Sequence, residues 1–136
     1  MILLDTSGLL AAIDSSQYKH HAAAAALRDA HGPLLLSPFV LAELDYLVAS
    51  RVGFQAERPL LEEVARGAYR LEPFTAEDVA SAMAVLDRYR DLGIGLADAS
   101  ICVLAARHGV HNILTLDQRH FNVMPGPGGR RFRLRP

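Results

Sequence analysis

At 136 residues, 51% hydrophobic and 21% charged, the chain can bury one core of ordinary density, which excludes a disordered segment. No apolar run approaches the roughly 18 residues of a membrane span, and the N-terminus enters an apolar stretch with no basic leader, so a soluble, cytoplasmic protein is expected. The net charge of −1 hides an asymmetry: residues 1–117 carry 15 acids against 9 bases, whereas residues 118–136 carry Arg119, Arg130, Arg131, Arg133 and Arg135 and no acid.

Taken in chain order, the apolar run at 2–5 predicts a strand that stops at Asp5, Thr6, Ser7 and Gly8. A short helix near 7–14 and a longer one near 17–31 follow. The stretch PLLLS at 33–37 predicts a second strand, and Ser37 with Pro38 opens a helix that runs to about Arg51. Another helix covers about 55–67, and a weak strand lies at 69–73. Thr75 caps a helical segment that ends at Gly93, and a helix at about 96–108 stops at Gly109. Residues 112–116, NILTL, read as a fourth strand, and the arginine-rich segment 130–136 as a fifth, at the edge of the sheet.

Short apolar strands alternating with helices argue for a single α/β domain over 1–136. The expected form is a three-layer α/β/α sandwich around a mainly parallel sheet of about five strands. In such sheets ligands gather outside the carboxyl ends of the strands, so acids at those ends matter most. Asp5 closes the first strand and Asp117 the fourth, with Thr115 two residues before it. Glu43 lies at the edge of the buried stripe Val40, Leu41, Leu44, Leu47 and Val48, about one turn into the helix that leaves the second strand. Asp45 borders the other edge and reads as a solvated rim acid. Asp98 opens a helix whose inward face carries Ile101, Cys102 and Ala105. Such an acid must be capped, paired or bound to metal.

Four carboxylates at one sheet edge repel one another and raise one another's pKa values. A divalent cation reverses that penalty, and oxygen donors with little nitrogen or sulfur suit Mg²⁺ or Mn²⁺ rather than zinc. Metal-dependent phosphodiester cleavage is the chemistry that fits. The arginines of the tail have two readings, phosphate contacts beside a negative pocket or a solvated terminal strand.

Other features carry less. GIGLAD lacks the third glycine of a dinucleotide loop and does not follow a strand. A phosphatase built on Asp5 would want an acid where Ser7 stands, and His20 and His21 are adjacent rather than spaced for zinc. His120 reads as a turn residue whose neighbour Phe121 anchors the loop, with substrate contact the other reading. Tyr18, Phe39 and Tyr46 read as core aromatics rather than base-stacking ones, and Cys102 as a buried thiol.

The segments LLDTSGLLA, LAEL, GLADAS and ILTLDQRHF, in that order across nearly the whole chain, resemble the PIN domain, and more closely the VapC-type toxin ribonucleases of toxin–antitoxin pairs. The resemblance implies Mg²⁺- or Mn²⁺-dependent endoribonuclease activity at Asp5, Glu43, Asp98 and Asp117. It implies that Asp5 and Asp98 ligate metal directly, while Glu43 and Asp117 act through water or a second ion. Thr6 and Thr115 match pocket hydroxyls. It further implies a homodimer silenced by an antitoxin. Arg119, Arg130 and Arg131 are candidate RNA contacts. A PIN-like module that holds RNA or a partner without cutting is the alternative, although the presence of all four acids argues against it.

Overall fold

Strand β1 (Ile2–Leu4) is buried along its whole length, with strands on both edges and helix side chains packed on its faces. The computed structural model describes all 136 residues. It pairs β1 in parallel with β2 (Leu34–Leu36) on one side and β4 (Asn112–Leu114) on the other. β3 (Arg70–Leu71) extends the sheet beyond β2, and β5 (Arg133–Arg135) beyond β4, giving the order β3-β2-β1-β4-β5. All five strands are parallel, and the segment 130–136 does supply an edge strand. The register sets Leu3 opposite Leu35 and Ile113.

Seven helices flank the sheet: α1 (Thr6–Ile13), α2 (His20–Arg28), α3 (Pro38–Arg51), α4 (Phe54–Ala65), α5 (Ala76–Arg88), α6 (Leu96–His108) and α7 (Gln118–Phe121). The expected three-layer α/β/α arrangement is the one found. The apolar runs of β1, β2 and β4 pack against Leu9, Val40, Leu44, Val48, Ile101 and Leu104 from the helices. Burial of each such side chain contributes about 1.5–3 kcal/mol. No helix is long and apolar enough to cross a membrane.

Local chemistry sets the helix ends. Ser37 Oγ accepts from the Phe39 N–H at 3.2 Å, with Pro38 in the first turn. Thr75 and Asp78 cap α5 reciprocally, at 3.3 and 2.8 Å. Gly109 ends α6 at φ 64°, a conformation that favours glycine.

Several expectations shift. Helix α2 starts at His20 rather than near residue 17, because Asp14 ties the intervening loop down with its side chain. Tyr18 therefore sits in a turn and is 94% exposed, not in the core. Tyr46 is exposed as well, since it lies two residues from both Leu44 and Val48 and so faces away from their stripe. Phe39 does pack, edge to face on Phe74. Asp45 is half-buried rather than solvated, because α4 packs on α3; its Oδ1 has no hydrogen-bond partner, and the side chain raises the pKa of the neighbouring Glu57. Cys102 is buried beside Met124, and desolvation pushes its thiol up to about 12.

The sheet order creates the site. From β1 the chain moves to β2 on one side, while β4 flanks β1 on the other. The crevice at the carboxyl ends of β1 and β4 is the topological switch point, where open α/β sheets bind ligands.

Candidate active site

Asp5 follows β1 and is 5% exposed. Thr115 Oγ1 and Ser7 Oγ each donate to its Oδ2, both at 2.7 Å. Their orientation follows from what each oxygen accepts. The Asp117 N–H donates to Thr115 Oγ1 and the Leu116 N–H to Ser7 Oγ, both at 2.9 Å, so each hydroxyl hydrogen is left for Asp5. Gly8 permits this closeness, because a Cβ there would lie 2.5 Å from the Leu114 carbonyl oxygen. Burial pushes the Asp5 carboxyl above its ordinary range. The hydroxyls oppose that shift, and the charge of Asp117 adds to it.

Asp98 enters from the first turn of α6, where its Oδ2 accepts the Gly95 N–H at 3.3 Å. It is thus both a cap and a pocket residue. Desolvation, then the charge of Asp5, raises its pKa to about 6, against the lowering effects of the Gly95 N–H and His120. Asp117 closes the β4 segment and caps the short α7 by accepting the His120 N–H at 3.0 Å. Glu43 reaches the same cavity from the exposed side of α3.

The crevice is a cavity of about 350 Å³ that holds all four acids together with Thr6, Ser7 and His120. A larger hollow elsewhere, beside Leu27, Val64 and Tyr69, lacks this chemistry. Thr6 Oγ1 is buried in it with no hydrogen-bond partner. The carboxylates are not drawn into a closed cage, and no three His, Cys, Asp or Glu side chains stand in metal-ligating geometry. Asp5 turns toward two hydroxyls, Asp98 toward a backbone N–H, and Asp117 toward the His120 N–H and imidazole.

That imidazole belongs to His120, which the sequence reads as a turn residue. Phe121 does anchor the loop, 1% exposed and edge to face on Phe132. His120 nonetheless turns into the cavity, its Nδ1 lying 2.8 Å from Asp117 Oδ2 and 3.7 Å from Asp98 Oδ2. Its Nε2–H is directed at the Leu92 carbonyl, 3.0 Å away. Its position three residues after Asp117, matching one helical turn, was the available signal. Gln17, Leu47 and Arg51 also line the cavity; nothing short of the α1–α3 packing reveals them.

The tail arginines fall elsewhere. Arg119 is exposed on α7 and does not line the cavity. Arg130 and Arg131 precede β5, which is parallel to β4, so they stand at the amino end of the sheet, opposite the acids. Only the last part of β5 reaches the carboxyl side, where the Arg135 carbonyl accepts the Thr115 N–H at 2.8 Å.

Comparison with known proteins gives the family. The family model for the PIN domain matches residues 2–126. The chain belongs to the PIN-domain family. As a PIN domain it is 43% identical over 135 residues to Ribonuclease VapC26 of Mycobacterium tuberculosis, covering 99% of this chain and 100% of that protein. Its fold matches VapC20 of M. tuberculosis, described as a sarcin–ricin loop cleaving toxin, with a TM-score of 0.80 at 23% identity over 86% of this chain and 90% of that one. VapBC2 from Rickettsia felis, bound to a DNA fragment from its promoter, matches with a TM-score of 0.68 at 18% identity over the whole of both chains. FitAcB from Neisseria gonorrhoeae matches with a TM-score of 0.58 at 25% identity over 80% of this chain and 83% of that one.

Proposed function

We propose that this PIN domain is a metal-dependent endoribonuclease, the toxin of a toxin–antitoxin pair. The observation that carries the reading is the meeting of Asp5, Glu43, Asp98 and Asp117, from four separate elements, in one cavity at the switch point. Full-length identity to a VapC ribonuclease supports RNA as the substrate, and likeness to VapBC and FitAcB supports an antitoxin partner.

The chemistry of the donors suits a divalent ion, which would have to draw the side chains together. The donors are oxygens, Thr6 Oγ1 is an orphaned buried polar atom, and burial with mutual repulsion raises Asp5 and Asp98. Asp5 and Asp98 would hold Mg²⁺ or Mn²⁺, with Glu43 and Asp117 assisting through water or a second ion. Such an ion supplies a water of lowered pKa and neutralises the charge that grows on phosphate. The protein does the rest. Ser7 and Thr115 hold the Asp5 carboxylate still, and the Gly95 N–H holds that of Asp98. His120 orients Asp117. Glu43 or Asp117 accepts the proton of the attacking water as its oxygen bonds to phosphorus and the ribose oxygen departs.

Homodimerisation and a cytoplasmic setting belong to the same proposal. Incubation of the purified protein with RNA tests it. Cleavage in Mg²⁺ or Mn²⁺ that stops in excess chelator and with Asp98→Ala is expected. Undiminished cleavage in chelator sinks the metal site, RNA bound but uncut in metal marks a binding module, and preferential digestion of single-stranded DNA marks a different nuclease.

A further inference from the structure

An RNA strand entering this cavity meets four acids, so its phosphates need positive charge at the mouth. Arg130 and Arg131, at the amino end of the sheet, do not supply it. Arg51 is the one Lys or Arg that lines the cavity. It follows Glu43 and Leu47 at four-residue steps along α3 and shares their face. None of the chain's ion pairs engages it.

The loop between α1 and α2 adds the second observation. Gln17 lines the same cavity, and the next residue, Tyr18, is 94% exposed. Beside it stands Lys19, the chain's only lysine, with its Nζ 5.5 Å from the Tyr18 ring centroid. This loop is not slack. The Asp14 carboxylate accepts from the Ser16 N–H at 3.0 Å, Ser16 Oγ at 2.7 Å and Gln17 Nε2 at 3.3 Å. The Gln17 N–H returns to the Asp14 carbonyl at 3.0 Å, and His20 Nδ1 meets the Ala11 carbonyl at 2.8 Å. A ring presented to water on a tied loop, with a cation over one face and the other face open, has the chemistry of a base-stacking platform.

We propose that Tyr18 stacks on an unpaired base flanking the bond to be cut while Arg51 holds an adjacent phosphate. The strand then crosses the α1–α2 loop and the end of α3 rather than the arginine tail. This rests on the ribonuclease reading and names how that site receives its substrate.

The test is fluorescence anisotropy of a short, labelled, single-stranded RNA of mixed sequence in excess chelator, followed by steady-state cleavage of the same RNA in Mg²⁺ or Mn²⁺. Tyr18→Ala weakens binding roughly tenfold, the scale of one lost base stack. It raises KM while kcat holds, and Tyr18→Phe restores both. Arg51→Ala weakens binding and lowers the salt dependence by about one counterion. Wild-type binding and KM in Tyr18→Ala overturn the stacking role, and an unchanged salt slope in Arg51→Ala overturns the phosphate contact. Either result beside normal, Asp98-dependent cleavage refutes this proposal alone. A wild-type protein that binds the RNA but never cuts it refutes the ribonuclease reading instead.

Discussion

Thr115 Oγ1 donates to Asp5 Oδ2 at 2.7 Å across 110 residues of sequence. The bond joins the carboxyl ends of β1 and β4 and sets the Asp5 carboxylate on a rigid sheet edge. Removing it exposes what it does. Thr115→Val keeps the shape of the side chain but leaves Asp5 with one hydroxyl donor and the Asp117 N–H without its acceptor. The expected loss is about 1–3 kcal/mol of stability, typical of a buried group left unpaired, with a clear fall in cleavage. Thermal melting beside an RNA assay checks both.

Asp98 ties stability to pH. Its folded pKa of about 6 lies above the ordinary value of 3.8, so the native state binds more protons than the unfolded one between those values. The contribution of Asp98 to the stability of the metal-free protein is therefore fully present below the ordinary value, is lost as pH rises through about 6, and levels beyond. Asp98→Asn should flatten this slope and melt higher than wild type at neutral pH while losing cleavage. A variant that melts lower at neutral pH, with the slope intact, contradicts the assignment.

Divalent ions should stabilise wild type far more than Asp98→Asn. Saturation at about 100 times the dissociation constant adds about 2.7 kcal/mol to a protein that binds the ion only when folded. Mg²⁺ or Mn²⁺ titrated into wild type should raise the melting temperature, more strongly above the Asp98 pKa than below it. Asp98→Asn should respond weakly, and an equal shift in both proteins would place the ion elsewhere.

Gly8 is a packing requirement. A Cβ there would stand 2.5 and 2.6 Å from the Leu114 carbonyl oxygen and carbon, backbone atoms of a buried strand. Gly8→Ala should cost about 3 kcal/mol, the upper range for forcing a methyl into a packed site. Chemical denaturation measures it, and a near-neutral result would mean that α1 can move away from β4.

The tail arginines separate two views of RNA approach. Arg130→Ala with Arg131→Ala should leave KM within about twofold at moderate salt, as both are exposed at the opposite end of the sheet and salt screens such charges. A large rise in KM would restore them as substrate contacts.

Much of this was legible in the linear chain. The apolar runs at Ile2–Leu4, Leu34–Leu36 and Asn112–Leu114 announced buried parallel strands, since a strand covered on both faces needs no polar alternation. Caps at Ser37 and Thr75 and stops at Gly93 and Gly109 are local chemistry, readable one turn at a time. The acids at the ends of those strands were visible for the same reason.

Sequence by itself thus determined the element types, the parallel sheet and the acids that have no ordinary reason to end a buried strand. Only tertiary structure decided the rest. The order β3-β2-β1-β4-β5 puts Asp5 beside Thr115, a proximity no local pattern encodes. Parallel pairing of β5 sends Arg130 and Arg131 away from the acids. The side chain of Asp14 keeps Tyr18 in water, and the turn of α7 brings His120 between Asp98 and Asp117. Local propensity acts over a few residues, while a site joins groups a hundred residues apart, whose meeting depends on how the whole sheet is ordered.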